Sequence, residues 1–303
     1  MSKTSRRARV LRKTLGAFIS DPEVPLAEQR ASLERADKIP RPRGLDYVDT
    51  EVGGVAAIVA TPKRGADERH ILYLHGGGYV LGSPRSHIAM AARLALAARG
   101  STTVLDYRLA PEHPYPAAID DCVAAYRAII ADRDPSSVVI AGDSAGGGAT
   151  LATLLALREA GVALPGAAYL MSPWTDLTAS GESTRTKSAD DPMLQAPWLQ
   201  DFAEKYAGDQ PLDLPGISPL FADLSGLPPM LVQVGSDEIL LSDSTRLVEA
   251  ARAAGVMVDV EVAPNMWHVF QAFAGMMPEA TTALVEAAAF IRAKTPTPDA
   301  LRV

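Results

Sequence analysis

A serine in a glycine-rich turn is the first residue whose surroundings suggest chemistry. Residues 142–146 read Gly-Asp-Ser-Ala-Gly and match the pattern G-x-S-x-G, with Ser144 at the centre. A strand predicted over 138–141 precedes this turn, and a helix predicted over 145–160 follows it. A serine on a sharp strand-to-helix turn projects its hydroxyl above the sheet, where it can attack a carbonyl carbon. The pattern therefore predicts that Ser144 is a nucleophile for acyl transfer.

A serine hydroxyl is a poor nucleophile unless a neighbouring base removes its proton. Of the five histidines, only His268 falls in a predicted loop between the last strand and the last helix. In chains with this kind of turn the histidine follows the nucleophile and the acid. We therefore predict that His268 is the base. His70 and His87 are predicted at the surface, and His75 and His113 in loops at strand ends.

The acid of such a site should follow the penultimate strand and precede the histidine. Asp237 and Glu238 are adjacent at the end of a strand predicted over 230–234. Either carboxylate could hold the imidazole in the required tautomer and stabilise the imidazolium. Asp243 is predicted to serve the start of the following helix instead. Spacing alone does not separate Asp237 from Glu238.

Three consecutive glycines, residues 76–78, follow another predicted strand. Attack on an ester places negative charge on the carbonyl oxygen, which needs preorganised N–H donors close by. Glycines let the main chain approach without a side chain in the way. We predict that the N–H groups of Gly77, Gly78 and Ala145 are these donors. A phosphate loop or a dinucleotide site is disfavoured, because no Gly-Lys-Ser/Thr follows residue 142 and no helix begins at the glycines.

Short β-rich runs alternate with helical runs after residue 40. Strands are predicted over 45–52, 55–60, 71–74, 102–106, 138–141, 167–171, 230–234 and 256–262. Helices are predicted over 87–98, 117–131, 145–160, 242–254 and 279–293. The later strands are continuous apolar runs, as expected when both faces of a sheet are covered. The alternation predicts a mainly parallel, doubly wound α/β sheet within a single domain, residues 1–303.

Two regions depart from this alternation. Residues 1–40 read as two partly amphipathic helical segments, interrupted around 21–25. Residues 181–228 are polar, then helical over 197–206, then rich in proline. Leu194, Trp198, Phe202 and Tyr206 lie four residues apart, on one helical face. That face either packs on the body of the protein or lines a pocket as part of a lid.

Composition narrows the class of protein. Among 303 residues, 29 Lys and Arg stand against 36 Asp and Glu, a net charge of −7, which argues against nucleic-acid binding. The basic cluster over 6–13 is predicted to be the solvated face of a helix. Cys122 is the single cysteine, so no internal disulfide is expected. Because no signal-peptide pattern and no apolar run of membrane-spanning length is seen, we expect a cytoplasmic protein. No metal-binding motif is seen, and neither metal nor cofactor is expected.

Four motifs together resemble a known family. They are HGGGYV at 75–80, DYRLAPEHPYPAAIDD at 106–121, GDSAGG at 142–147 and HVF at 268–270. From about residue 45 onward, the chain resembles the hormone-sensitive-lipase-like esterases, the bacterial family IV carboxylesterases. The resemblance implies an α/β-hydrolase fold: a mostly parallel eight-stranded sheet, helices on both faces, and a helical cap from about 1–40 and about 181–215. It also implies structural roles for Arg108 and Glu112.

The resemblance further implies hydrolysis of carboxylic esters with short to medium acyl chains. Many members carry Asp-Pro-Leu after the penultimate strand, whereas residues 237–241 read Asp-Glu-Ile-Leu-Leu. They look more like a subgroup with Gly-x-x-Glu-x-Leu-Leu-x-Asp, which places the acid at Glu238. The predicted substrate-pocket residues are Tyr79, Met193, Leu194, Trp198 and Phe202.

Other functions are open at this level. A lactone hydrolase, an amidase or a deacetylase would use the same residues. Plant gibberellin receptors resemble this family and have lost the catalytic histidine, so a non-catalytic ligand-binding protein is a further alternative, although His268 is present here. The expected partner is a small ester. A homodimer through the edge of the strand over 256–262 is also predicted, because such an edge offers unpaired backbone groups.

Overall fold

Eight strands form one sheet in the computed structural model, which describes residues 4–15 and 24–295. The strands are β1 (Leu45–Val52), β2 (Val55–Pro62), β3 (His70–Leu74), β4 (Ser101–Leu105), β5 (Val138–Asp143), β6 (Ala167–Met171), β7 (Met230–Gly235) and β8 (Val258–Ala263). Their order across the sheet is β1-β2-β4-β3-β5-β6-β7-β8. Strand β2 runs antiparallel to β1 and β4, and all other neighbours are parallel. The predicted eight-stranded, mostly parallel sheet is confirmed.

Helices cover both faces of this sheet. They are α1 (Arg6–Leu15), α2 (Leu26–Glu34), α3 (Pro84–Ala98), α4 (Ala117–Ile130), α5 (Ala145–Glu159), α6 (Ser183–Thr186), α7 (Ala196–Ala207), α8 (Leu241–Ala253) and α9 (Pro278–Lys294). Because strand side chains alternate, β5 sends Val138 and Ile140 into a core with α4, α5 and α8, and Val139 and Ala141 into a core with α3 and α9. Within the described part of the chain, no helix has the length and apolarity to cross a bilayer.

Most differences from the predicted elements lie at their ends, and one short helix, α6, was not predicted. Helix α3 begins at Pro84, three residues before the prediction. Ser83 caps it: the Ser83 hydroxyl accepts the N–H of Ser86, and the Ser86 hydroxyl accepts the N–H of Ser83. Proline is suited to the first helical position because its missing N–H would have no partner there. The apolar pattern alone missed this capping box.

The N-terminal helix α1 docks on the far end of the chain. The N–H and the hydroxyl of Ser5 both donate to the Glu279 carboxylate, at 2.6 and 2.9 Å. Ala8 and Leu15 are buried in the same core as α3 and α9. The predicted interruption at 21–25 falls largely outside the described residues, and the division into one domain with a two-part cap stays a prediction.

Two ion pairs hold the loop over 107–116. Arg108 contacts Asp121 of α4 at 2.7 Å. Glu112 pairs with Arg30 of α2 at 2.7 Å, and Arg30 also donates to the carbonyl oxygen of Ala110 at 2.9 Å. These contacts are of the structural kind that the family resemblance implies for Arg108 and Glu112.

Strand β8 forms one edge of the described sheet. Val260 and Val262 on it are 38% and 44% exposed, and Met257 just before it is 63% exposed. The strand begins two residues later than predicted. A homodimer through this edge stays a prediction.

Candidate active site

The turn between β5 and α5 holds Ser144 in a conformation that few non-glycine residues adopt. Its φ is +55° and its ψ is −122°. Closely packed glycines make this turn possible: a Cβ added at Gly146 would lie 2.0 Å from the carbonyl oxygen of Leu74, and one at Gly142 would lie 2.2 Å from that of Gly146. The glycines of the motif are therefore required by the close approach of α5 to β3 and β5.

Residues at and just after the C-terminal end of β6 hold the main chain of Ser144 on both sides. The N–H of Ser144 donates to the carbonyl oxygen of Met171 at 2.9 Å, and its carbonyl oxygen accepts the N–H of Trp174 at 2.9 Å. The strained turn is thereby fixed by hydrogen bonds from outside its own segment.

His268 and Glu238 form a buried pair. Nδ1 of His268 lies 2.8 Å from Oε2 of Glu238. Oε1 of Glu238 accepts the N–H of Gly235 at 2.5 Å. The adjacent Asp237 points elsewhere, because its carboxylate pairs with Arg12 of α1 at 2.9 Å. With Nδ1 engaged by the carboxylate, Nε2 is the ring nitrogen left to exchange a proton.

Opposing effects set the charge of His268. Burial alone would lower its pKa, because the charged imidazolium loses solvation. The hydrogen bond and the negative charge of Glu238, followed by the charges of Asp191 and Asp143, outweigh burial and raise the pKa above its ordinary value. The site thus stabilises a proton on this imidazole, as a base that must hold one during a reaction requires.

The glycine loop after β3 leaves main-chain donors free. Gly77 and Gly78 have φ values of +119° and +63°, which other residues rarely adopt. A Cβ at Gly78 would lie 2.3 Å from Cδ2 of Phe202, so α7 comes directly against the loop. Among the described residues, the N–H groups of Gly77 and Gly78 have no hydrogen-bond acceptor. Such free, fixed donors suit an oxyanion.

Asp143, which precedes Ser144, ties the two glycine-rich segments together. Its Oδ1 accepts the Tyr73 hydroxyl at 2.6 Å and the N–H of Gly76 at 3.1 Å. Its Oδ2 lies 3.5 Å from Nε2 of His87. Burial would raise the pKa of Asp143, but His87 and the Tyr73 hydroxyl lower it, and Asp143 in turn raises the pKa of His87.

Two histidines lie deeper than predicted. His87 was expected at the surface but faces Asp143 from α3, with an 11% exposed side chain. His70, also expected at the surface, lies in β3 and is 4% exposed, with its ring nitrogens 2.7 Å from the Ser101 hydroxyl and 2.9 Å from that of Thr103. The prediction was wrong because buried partners compensate these rings for lost solvation. Burial lowers the pKa of His70 to about 3.

Comparisons with known proteins identify the family of this chain. The family model for the α/β-hydrolase fold matches residues 71–272. A crystal structure of an esterase from the bacterial hormone-sensitive lipase family superposes with a TM-score of 0.93 at 41% identity, over 98% of this chain and all of that one. The chain belongs to this family. An acetyl-hydrolase of Streptomyces hygroscopicus is 45% identical over 246 residues, 80% of this chain and 82% of its own length. An esterase of Acinetobacter venetianus is 44% identical over 223 residues, 73% of each chain.

The predicted pocket residues of this hormone-sensitive lipase family member lie on and beside α7. Phe202 abuts Gly78, and Trp198 is 8% exposed on the same helix. Met193 and Leu194, just before α7, are half-buried. Tyr79 differs, since it is 1% exposed and stacks on Tyr206 with ring centroids 3.7 Å apart. Tyr79 therefore packs beneath the glycine loop over 76–78, and its role as a pocket residue stays a prediction.

Sequence reasoning missed two residues that contact the acid loop, the segment over 236–240 that carries Glu238 between β7 and α8. Ser172, directly after β6, donates its hydroxyl to Oε1 of Glu238 at 2.9 Å and accepts the N–H of Val269 at 3.1 Å. Its φ of +45° is another strained value. Asp191 accepts the N–H of Ile239 at 2.9 Å. The sequence could have suggested Ser172, because it follows a predicted strand and the carboxyl ends of neighbouring parallel strands meet at one edge of such sheets. No feature of the sequence pointed to Asp191.

Proposed function

We propose that this family member is a serine carboxylesterase that hydrolyses short- to medium-chain carboxylic esters through an acyl-enzyme. One observation supports this most strongly. Met171, the last residue of β6, accepts the N–H of Ser144, and the next residue, Ser172, contacts both the Glu238 carboxylate and the N–H of the residue after His268. The nucleophile turn and a buried acid–histidine pair therefore meet at one sheet edge, as a Ser-His-acid triad requires.

In the first half of the proposed reaction, Oγ of Ser144 bonds to the ester carbonyl carbon while its proton passes to Nε2 of His268. The carbonyl oxygen becomes negatively charged and accepts the N–H groups of Gly77, Gly78 and Ala145. The bond to the alcohol oxygen then breaks, and that oxygen takes the proton from His268. An acyl-serine and a free alcohol result.

In the second half, water loses a proton to His268 and its oxygen bonds to the acyl carbon. The bond between the acyl carbon and Oγ breaks, and the proton returns to Ser144. Throughout, the ionised Glu238 holds Nδ1–H of His268 and stabilises the imidazolium. Side chains and main-chain groups supply every step, so the proposed reaction calls for neither a metal nor a cofactor.

The insertion before and within α7 is the proposed limit on acyl length. Phe202 abuts Gly78. In the proposed complex the acyl chain leaves the glycine loop over 76–78 along Phe202, with Trp198, Met193 and Leu194 as further apolar contacts. Apolar side chains this close to the glycine loop limit the space for the acyl chain, which favours short acyl groups. The acetyl-hydrolase among the relatives, 45% identical, is consistent with this preference.

Hydrolysis of p-nitrophenyl esters with two to twelve acyl carbons tests the proposal, with the wild type compared to Ser144→Ala. Alanine keeps the Cβ of serine and its φ strain, so the variant removes only the hydroxyl. We expect activity that is highest on short esters and lower by at least about a thousandfold in Ser144→Ala. Equal rates in the two proteins would show that Ser144 is not the nucleophile. A maximum on the longest esters would reject the confined pocket.

A further inference from the structure

Asp191 joins the predicted pocket wall to the catalytic acid. It precedes α7 and is 8% exposed. Its Oδ1 accepts the N–H groups of Met193 and Leu194 at 2.8 and 3.0 Å, and its Oδ2 accepts the N–H of Ile239 at 2.9 Å. We propose that Asp191 is a positioning residue that holds the Glu238 loop in place and acts on His268 through its charge. This role rests on the proposed function.

The acid loop is held from both sides of Glu238. On the N-terminal side, the main-chain N–H of Asp237 donates to the carbonyl oxygen of Met266 at 3.0 Å. On the C-terminal side, the N–H of Ile239 donates to Asp191. If that hydrogen bond is lost, the buried N–H of Ile239 has no acceptor and residue 239 is held only through its carbonyl oxygen, which accepts the Ser183 hydroxyl at 2.6 Å. We expect the Glu238 carboxylate to shift with it relative to Nδ1 of His268.

The charge of Asp191 acts on the same imidazole. The carboxylates that raise the pKa of His268 are Glu238 from the acid loop, Asp191 from the insertion and Asp143 from the end of β5. Burial raises the pKa of Asp191 itself, while the charge of His268 and three N–H donors oppose that effect. Asp191 is thus a second carboxylate, beyond Glu238, that stabilises the imidazolium while His268 holds the proton.

A purely structural role would look different. An aspartate often caps a turn by accepting N–H groups two and three residues on, as Asp191 does with Met193 and Leu194. Such a cap needs neither the bond from Oδ2 to Ile239 nor an effect on the imidazole. The pH dependence of catalysis separates these two roles, because a turn cap alone does not alter the pKa of His268.

Asp191→Asn is the test, with Asp190→Asn as its matched control. Asp190 loses the same charge one residue away but is exposed, and its side chain pairs with Lys187. We measure kcat, KM and the pH profile of kcat/KM on p-nitrophenyl acetate. In Asp191→Asn we expect kcat to fall by about ten- to a hundredfold, because a displaced acid misaligns the base. The acid limb should move to lower pH, because the imidazolium loses a stabilising charge. Asp190→Asn should match the wild type.

Asp191→Ser is the second variant, in case the amide at this position prevents folding. Its hydroxyl can still accept an N–H within the turn, whereas the charge and the reach to Ile239 are lost. A folded variant at position 191 whose acid limb coincides with that of the wild type overturns the proposal, whatever its kcat. An inactive wild type would reject the proposed function instead, so the two failures are distinguishable.

Discussion

The nucleophile turn and the acid–histidine pair are held by different means. Around Ser144, glycines only two residues away on either side allow α5 to pack so closely that added Cβ atoms would overlap backbone oxygens. Around Glu238 and His268, the contacts come from distant parts of the chain, including Ser172 and Asp191. The first region depends on the steric fit of glycines within its own motif, supported by hydrogen bonds with Met171 and Trp174, whereas the second depends mainly on long-range hydrogen bonds to orient its side chains. A local motif can therefore reveal a nucleophile, while its partners depend on how the chain returns to it.

The largest expected effect comes from breaking the acid–histidine pair directly. Glu238→Gln should lower kcat by about ten-thousandfold, because an amide cannot hold Nδ1–H of His268 as an ionised carboxylate does. Asp237→Asn is the matched neighbour, and it loses only a partly exposed ion pair with Arg12. We expect kcat within about threefold of the wild type for that variant. Steady-state kinetics on p-nitrophenyl acetate checks both. A larger loss in Asp237→Asn would assign the acid to Asp237.

A smaller effect, on stability rather than on chemistry, should follow from crowding the nucleophile turn. Gly146→Ala places a Cβ 2.0 Å from the carbonyl oxygen of Leu74, so α5 must move or the turn must open. We expect the free energy of unfolding to fall by about 3 kcal/mol or more. Gly255→Ala is the control, because its φ is +79° but nothing lies within 4 Å of the added atom.

That control should lose only about 1–2 kcal/mol from backbone strain. Urea unfolding followed by circular dichroism measures both changes. If Gly146→Ala is no less stable than Gly255→Ala, steric fit does not hold the nucleophile turn, and the contrast with the acid–histidine pair fails.

The smallest expected effect tests the link between the two regions. Ser172→Ala removes the hydroxyl that donates to Glu238 and accepts the N–H of Val269. We expect kcat to fall by about ten- to a hundredfold with KM little changed, because the pair keeps its charges but loses alignment. Ser244→Ala is the control, since Ser244 is buried and its hydroxyl has no partner among the described residues. An unaltered kcat in Ser172→Ala would show that Gly235 alone suffices to hold the carboxylate.

Much of the fold could be predicted because local patterns carry it. Continuous apolar runs such as 138–141 marked strands buried on both faces, and their alternation with helices marked the parallel sheet. Element ends were less predictable, because they depend on caps such as Ser83. The depths of His70 and His87 were mispredicted, since polar partners from other strands and helices decide whether a histidine can be buried.

By itself, the sequence determined where a strained strand-to-helix turn would place Ser144, and it narrowed the acid to two adjacent residues. Resemblance to one subgroup of the family already favoured Glu238, and the tertiary structure gives the reason: Glu238 faces His268 while Asp237 faces Arg12. Only the tertiary structure brought Ser172 and Asp191 to the acid loop. The physical reason is one of range. Turn conformation depends on the sizes of neighbouring residues, whereas the orientation of a carboxylate depends on donors that are adjacent in space and distant along the chain.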